Sequence, residues 1–205
     1  MVHMAPLHNA VRAGNLAEVR RLVNARANVN ARNNERVTPL MLAAILRHPN
    51  IIRYLLNKGA NARARQNQNH PKTALIYAVE TGNVNSVRAL IRHSNLNVKD
   101  GYGRSALTAA ANLQMPNLVS MLVRAGAKPN ESTLEYIMNN NAMQKLIGSA
   151  LIRRIAMKNT APPRMRAAMI ARKNRNLEMR RQLGRAGLPP AVRNLVGTMV
   201  RGRKL

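Results

Sequence analysis

The 205 residues predict an all-α repeat solenoid, a stack of helix-turn-helix units joined by hairpin loops and followed by a basic tail. Three observations carry that reading. Several columns of like residues recur at one shared set of intervals. Each interval holds a helix start, an apolar helix, a break, a second apolar helix and a polar loop. The apolar palette is narrow, 46% hydrophobic with four Tyr and no Phe or Trp, which suits thin, closely stacked helices of Leu, Val, Ile, Ala and Met.

The columns are Leu7, Leu40, Leu75 and Leu107; Ala10, Ala43, Ala78 and Ala110; Leu22, Leu55, Leu90 and Leu122. Each is spaced 33, 35 and 32 residues, and Val19, Ile52, Val87 and Val119 follow the same intervals. A period in this range means stacked supersecondary units, each unable to bury its apolar face alone.

Within a unit the start signal is clearest at Thr38-Pro39-Leu40. Thr38 caps the first exposed amides, and Pro39 suits the first helical position because an N–H there would have no partner. Thr73 and Ser105 repeat the cap. The break is Gly14-Asn15 and Gly82-Asn83, where Gly adopts positive φ to end the first helix. Arg47 and Gln114 stand in place of that Gly, with Pro49 and Pro116 soon after, so the turn there is expected to be kept by other means. The second helix ends at Gly59 and Gly126.

Motif and period together resemble the ankyrin repeat over residues 4–130. The resemblance implies helix pairs joined by outward β-hairpin loops in a slightly curved stack. Only His8 keeps the family's histidine after the Pro-Leu pair; Met41, Ile76 and Thr108 replace it, a change expected to spare the fold and lower its stability. His8 itself is expected to bond backbone near its helix start, with the other His exposed. The repeat domain is read as 4–148, in units of about 4–31, 32–64, 65–99 and 100–130 with a shortened closing unit 131–148, and 149–205 as an Arg-rich C-terminal tail.

The tail reads either as helices, about 150–158 and 164–183, or as a solvated, partly disordered basic arm broken by Pro162-Pro163 and Pro189-Pro190. Its candidate basic residues are Arg153, Arg154, Arg172, Lys173, Arg175, Arg180, Arg181, Arg201, Arg203 and Lys204. The segment from Leu188-Pro189 places Val192, Leu195, Val196 and Met199 on one helical face. It looks like the opening of an F-box, and ankyrin proteins of large DNA viruses carry truncated F-box-like elements at this location. That resemblance implies a ubiquitin-ligase linker subunit as partner. It covers fewer than 20 residues, and Ala191 stands where an acidic residue is common.

Charge points to acidic partners, because 34 Lys and Arg face seven Asp and Glu, a formal net charge of +27. Residues 1–150 carry 19 basic and six acidic side chains, whereas 151–205 carry 15 and one. Such a field attracts nucleic acid, anionic lipid or an acidic protein surface, less strongly as salt rises.

Catalysis is not indicated. Carboxylates are scarce, Cys is absent, and the five His show no metal-type spacing, so neither cofactor nor metal is expected. Gly101-Tyr102-Gly103 lacks the third Gly of a phosphate-cradling loop and falls where a hairpin turns. No signal-peptide pattern and no run of about 18 apolar residues occurs, so an intracellular protein, cytoplasmic or nuclear and monomeric, is expected.

The reading that results is a non-enzymatic scaffold or adaptor holding an acidic protein target by hairpin tips and the concave first-helix face. Its candidate residues are those not needed to build a unit: Asn34, Glu35, Val37, Asn69, His70, Lys72, Glu80, Thr81, Tyr102, Arg104 and Asn112. Nucleic-acid association through the tail is a separate reading.

Overall fold

A computed structural model describes residues 6–67 and 71–148, together with 171, 175 and 178. Among the described residues ten helices follow one another in pairs: α1 (Pro6–Arg12) with α2 (Leu16–Asn24), α3 (Pro39–Ile45) with α4 (Pro49–Asn57), α5 (Ala74–Glu80) with α6 (Val84–Leu90), α7 (Ala106–Asn112) with α8 (Pro116–Arg124), and α9 (Glu131–Asn139) with α10 (Asn141–Ile147). First helices pack on first helices and second on second, so each unit touches its neighbours along the chain.

The starts are capped as their residue types require. Thr38, Thr73 and Ser105 accept the amides of Met41, Ile76 and Thr108 at 3.3, 3.4 and 3.2 Å, and Asn15 and Asn83 do the same for α2 and α6 at 3.0 and 2.9 Å. Helices α4 and α8 have no side-chain cap; each opens on Pro49 or Pro116, which removes an amide that would otherwise need one.

Every first helix of the first four pairs ends in the same way. The residue after the cap turns left-handed, and the next amide reaches back to the alanine carbonyl of the repeat column: Asn15 to Ala10, His48 to Ala43, Asn83 to Ala78 and Met115 to Ala110, at 2.9–3.3 Å. Gly14 and Gly82 sit at φ 67° and 69°, and Arg47 and Gln114 take the same conformation at φ 61° and 53°. The turn expected to survive without glycine in these units does survive, with its geometry unchanged, and the side chains bear its cost.

Second helices end likewise where Ala27, Ala60 and Ala127 bond the Leu22, Leu55 and Leu122 carbonyls at 2.9–3.0 Å, with Arg26, Gly59 and Gly126 at positive φ. The third unit departs, since α6 ends at Ile91 in right-handed conformation and runs on into a turn.

The repeat columns form the core. Leu40, Leu75 and Leu107, Ala43, Ala78 and Ala110, and Val19, Ile52, Val87 and Val119 are all buried to within 1%. Met41 and Ile76 take the position of His8 as buried apolar side chains, and Thr108 fills it while bonding Ser105 and Thr133. His8 is buried too, but its Nε2–H donates at 3.0 Å to the Val37 carbonyl of the next unit, 29 residues on, and not to backbone at its own helix start. Among the remaining described His, His93 is exposed and His48 half-buried.

The outward loops are reduced hairpins. Asn33 bonds Val37, Gln66 bonds Lys72 and Asp100 bonds Arg104 across their turns at 2.9–3.1 Å, and one antiparallel rung joins Lys99 to Ser105. No strand extends from them among the described residues. Neighbouring loops are laced by asparagines, with Asn30 Oδ1 accepting the Asn61 amide at 2.8 Å and Asn97 Oδ1 that of Lys128 at 2.9 Å. Of the tail, Ala171, Arg175 and Glu178 are helical and exposed.

The left-handed turns give a pair of opposite expectations. Arg47→Gly relieves strain of about 1–2 kcal/mol against a larger unfolded-state entropy and raises stability by about 0.5–1 kcal/mol in a urea melt. Gly14→Ala lowers it by on the order of 1–3 kcal/mol, because a Cβ there stands 2.9 Å from His48 Cε1 as well as at φ 67°.

Candidate docking surface

The hairpin edge of the second to fourth units links five of the eleven candidate residues, Glu35, Lys72, Glu80, Tyr102 and Arg104, into one network. Gln66 donates to the Glu35 carbonyl at 3.1 Å and accepts the Tyr77 hydroxyl. Lys72 lies 5.4 Å from the Tyr77 ring centre and 2.9 Å from Glu80. Glu80 also meets Arg104 of the next unit at 3.2 Å, and Arg104 closes on Asp100 at 2.8 Å.

Asp100 is the buried anchor of this edge. Its Oδ1 accepts the Tyr102 and Arg104 amides, each at 2.9 Å, which fixes the turn; its Oδ2 receives two guanidinium bonds from Arg104 at 3.0 and 2.8 Å. Burial pushes its pKa up, but the Arg104 guanidinium and the two amides outweigh that and hold it below the usual carboxylate range. Arg104 is correspondingly raised, first by its bond to Asp100. The Tyr77 phenol is pushed up by burial, then by Glu80 and Glu35.

Held from one side by two carboxylates, the Arg104 guanidinium lies 5.0 Å from the Tyr102 ring centre. Tyr102 is 72% exposed at the hairpin tip between Gly101 and Gly103. A largely exposed aromatic on a turn fixed by Asp100 is what the arrangement presents to solvent.

The other candidates are distributed unequally. Asn34, Glu35 and Asn112 are exposed, and Thr81 is half-buried with its hydroxyl bonding the Ala44 and Ala78 carbonyls at 3.5 and 3.0 Å. Val37 is only 3% exposed and its carbonyl receives His8, so its placement on the surface is corrected: it builds the unit. Lys72, Glu80 and Arg104 are half-buried and neutralise one another, so they are not bare charges awaiting a target. Asn69 and His70 lie outside the described residues, as do the tail candidates except Arg175 and the F-box-like segment 188–200. Sequence reasoning missed Asp100, Gln66 and Tyr77. Asp100 was signalled by its place immediately before Gly-Tyr-Gly, a turn-forming position for an Asx side chain.

Among the described residues no group of three or more His, Asp or Glu could hold a metal ion, and no helix is long and apolar enough to cross a membrane. Helix pairs stacked in register, with loops and hairpin tips presented along one edge, define a repeat-stack recognition module. The family model for ankyrin repeats in three copies matches residues 2–66 and 61–133, so the chain belongs to the ankyrin repeat family. It is similar to the human B-cell lymphoma 3 protein (Homo sapiens), 33% identical over 154 residues that cover 67% of this chain and 34% of the relative. Human inversin is 32% identical over 132 residues, 63% of this chain and 12% of its own. An ankyrin repeat protein of Acanthamoeba polyphaga mimivirus is 33% identical over 108 residues, 52% of this chain and 14% of its own. The chain thus spans about a third or less of these curated relatives. The crystal structure of the ankyrin repeat domain of Bcl-3, described as a unique member of the IκB protein family, superposes with a TM-score of 0.61 at 31% identity, covering 72% of each chain. Ankyrin stacks are in general non-enzymatic modules of protein–protein interaction.

The Asp100 geometry carries a pH expectation. Because its folded pKa is depressed, its contribution is complete above the unfolded value of about 3.9 and is lost as pH falls through the folded value. Asp100→Asn should cost about 1.5–3 kcal/mol at neutral pH, and the difference between variant and parent should shrink towards zero in urea melts taken through the acid limb. A difference that stayed constant with pH would mean the carboxylate charge contributes nothing.

Proposed function

We propose that the stack holds a protein target against its hairpin edge, with Tyr102 as the central anchor. One observation carries this: an aromatic side chain is 72% exposed at a tip whose conformation is over-determined by Asp100, Arg104 and Glu80. Tyr pays little entropy on docking and is enriched among the residues that dominate binding energy. Exposed Asn34 and Glu35 on the second unit's hairpin and Asn112 at the end of α7 offer further polar positions to a target that extends along the stack.

Because Lys72 and Arg104 are already paired with carboxylates, the target is chosen around Tyr102 by fit to the ring more than by net acidity. For the tail, the excess of 15 basic over one acidic side chain in 151–205 supports a second reading, phosphate contact with nucleic acid.

The test is affinity capture from nuclease-treated cell extract with the full chain and with Tyr102→Ala, each checked for an unchanged melt. Partners held by the parent should bind the variant about 30-fold more weakly, on the order of 2 kcal/mol. Equal retention by both would remove Tyr102 and this edge from the docking role.

A further inference from the structure

The outer helices carry a row of arginines without carboxylate partners. In α2, α4 and α6 the buried Val19, Ile52 and Val87 are each followed by an exposed arginine, Arg20, Arg53 and Arg88, at one register position in three consecutive units. One turn earlier the same face shows exposed Asn50 and Asn85, and Asn117 continues that row on α8. One turn later Arg92 and Arg124 extend it.

No carboxylate breaks the row. Glu18 is the sole acidic residue on α2, α4, α6 and α8, and both its oxygens are taken by Arg21 at 2.7 Å. Among the described residues none of Arg20, Arg53 and Arg88 takes part in an ion pair. Instead Arg53 is steadied by Asn50 at 3.3 Å, and the Arg20 guanidinium reaches 5.7 Å from the Tyr54 ring centre of the next unit, so the cations bridge from unit to unit. The arginine register ends at α8, where the equivalent Ser120 is buried and bonds the Leu146 carbonyl of α10, and Arg124 one turn on donates to that same carbonyl at 2.6 Å.

We infer that this arginine-asparagine face binds the phosphate backbone of double-stranded nucleic acid without reading base sequence. The face is of one sign and repeats at the spacing of packed helices, about 8–10 Å. It offers guanidinium forks that match phosphate oxygens in pairs, with asparagine amides beside them that steady the arginines or donate in their own right. A protein partner would need an apolar or aromatic anchor. Among the described residues the exposed large apolar side chains, Tyr102, Leu113 and Leu146, lie on the hairpin, in the α7–α8 turn and on α10, while Tyr54 is half-buried near Arg20 and Lys58. Stacking on single strands is disfavoured by the same lack of rings. This surface is distinct from the hairpin edge, and the inference does not rest on the docking role proposed for Tyr102 or on the tail.

The experiment is fluorescence anisotropy of a labelled mixed-sequence DNA duplex of about two helical turns, titrated with the full chain across a series of salt concentrations. Three proteins are compared: the parent, the outer-face variant Arg20→Gln/Arg53→Gln/Arg88→Gln, and a charge-matched control Arg63→Gln/Arg65→Gln/Lys99→Gln, whose residues are exposed in the loops. Each released phosphate contact contributes about 0.9 to the slope of log K against log salt. The outer-face variant should therefore lose about 2–3 from that slope and the control less than about 1, and Arg20→Lys/Arg53→Lys/Arg88→Lys should restore it. Equal losses in variant and control would reduce the effect to net charge and overturn the inference, as would an unchanged slope in the variant. Polyglutamate of equal charge that displaced the duplex from the parent but not from the variant would make the face an acidic-polypeptide site and overturn it as well.

Discussion

A backbone amide reaching back to an alanine carbonyl sets the angle at which the two helices of each of the first four pairs meet. From that left-handed turn follows which side chains face inward, because the second helix can present Val19, Ile52, Val87 or Val119 to the core only if the chain reverses in this one way. Alanine at the turn's acceptor position keeps the paired helices close, and the leucine columns then fill the space between units. A unit taken alone would leave those leucines facing water on the side of the missing neighbour, so the interaction is local in sequence but its value is realised by the neighbour.

Much of this is legible without coordinates, since column spacing, caps and the two prolines each follow from a rule about amides or volume. What escaped reading is instructive in physical terms. Arg47 and Gln114 do not look like turn residues, yet they adopt the glycine conformation because the stack on either side determines it. Val37 looks like an exposed loop residue, and only the position of the preceding repeat shows that it is covered. Lys72, Glu80 and Arg104 are visible as polar residues at the hairpin edge; that they pair with one another depends on the offset between units, which a one-dimensional reading does not contain.

The same offset sorts the charge. Two of the molecule's few carboxylates, Glu80 and Asp100, are placed where they pair Lys72 and Arg104 and order an edge, while Arg20, Arg53 and Arg88 on the outer helices stand outside any ion pair among the described residues. A protein that appears uniformly basic by composition thus has two chemically different surfaces. One presents an aromatic ring on a turn held by ion pairs; the other presents a ladder of guanidinium groups.

The third unit closes differently from its neighbours: α6 stops without a left-handed terminator, while Glu80 and Arg104 fasten the same unit to the next. The join between the third and fourth units is thus made partly of charge, which added salt screens, and partly of helix packing, which it does not. Ionic strength therefore acts on one component of that seam and leaves the other in place.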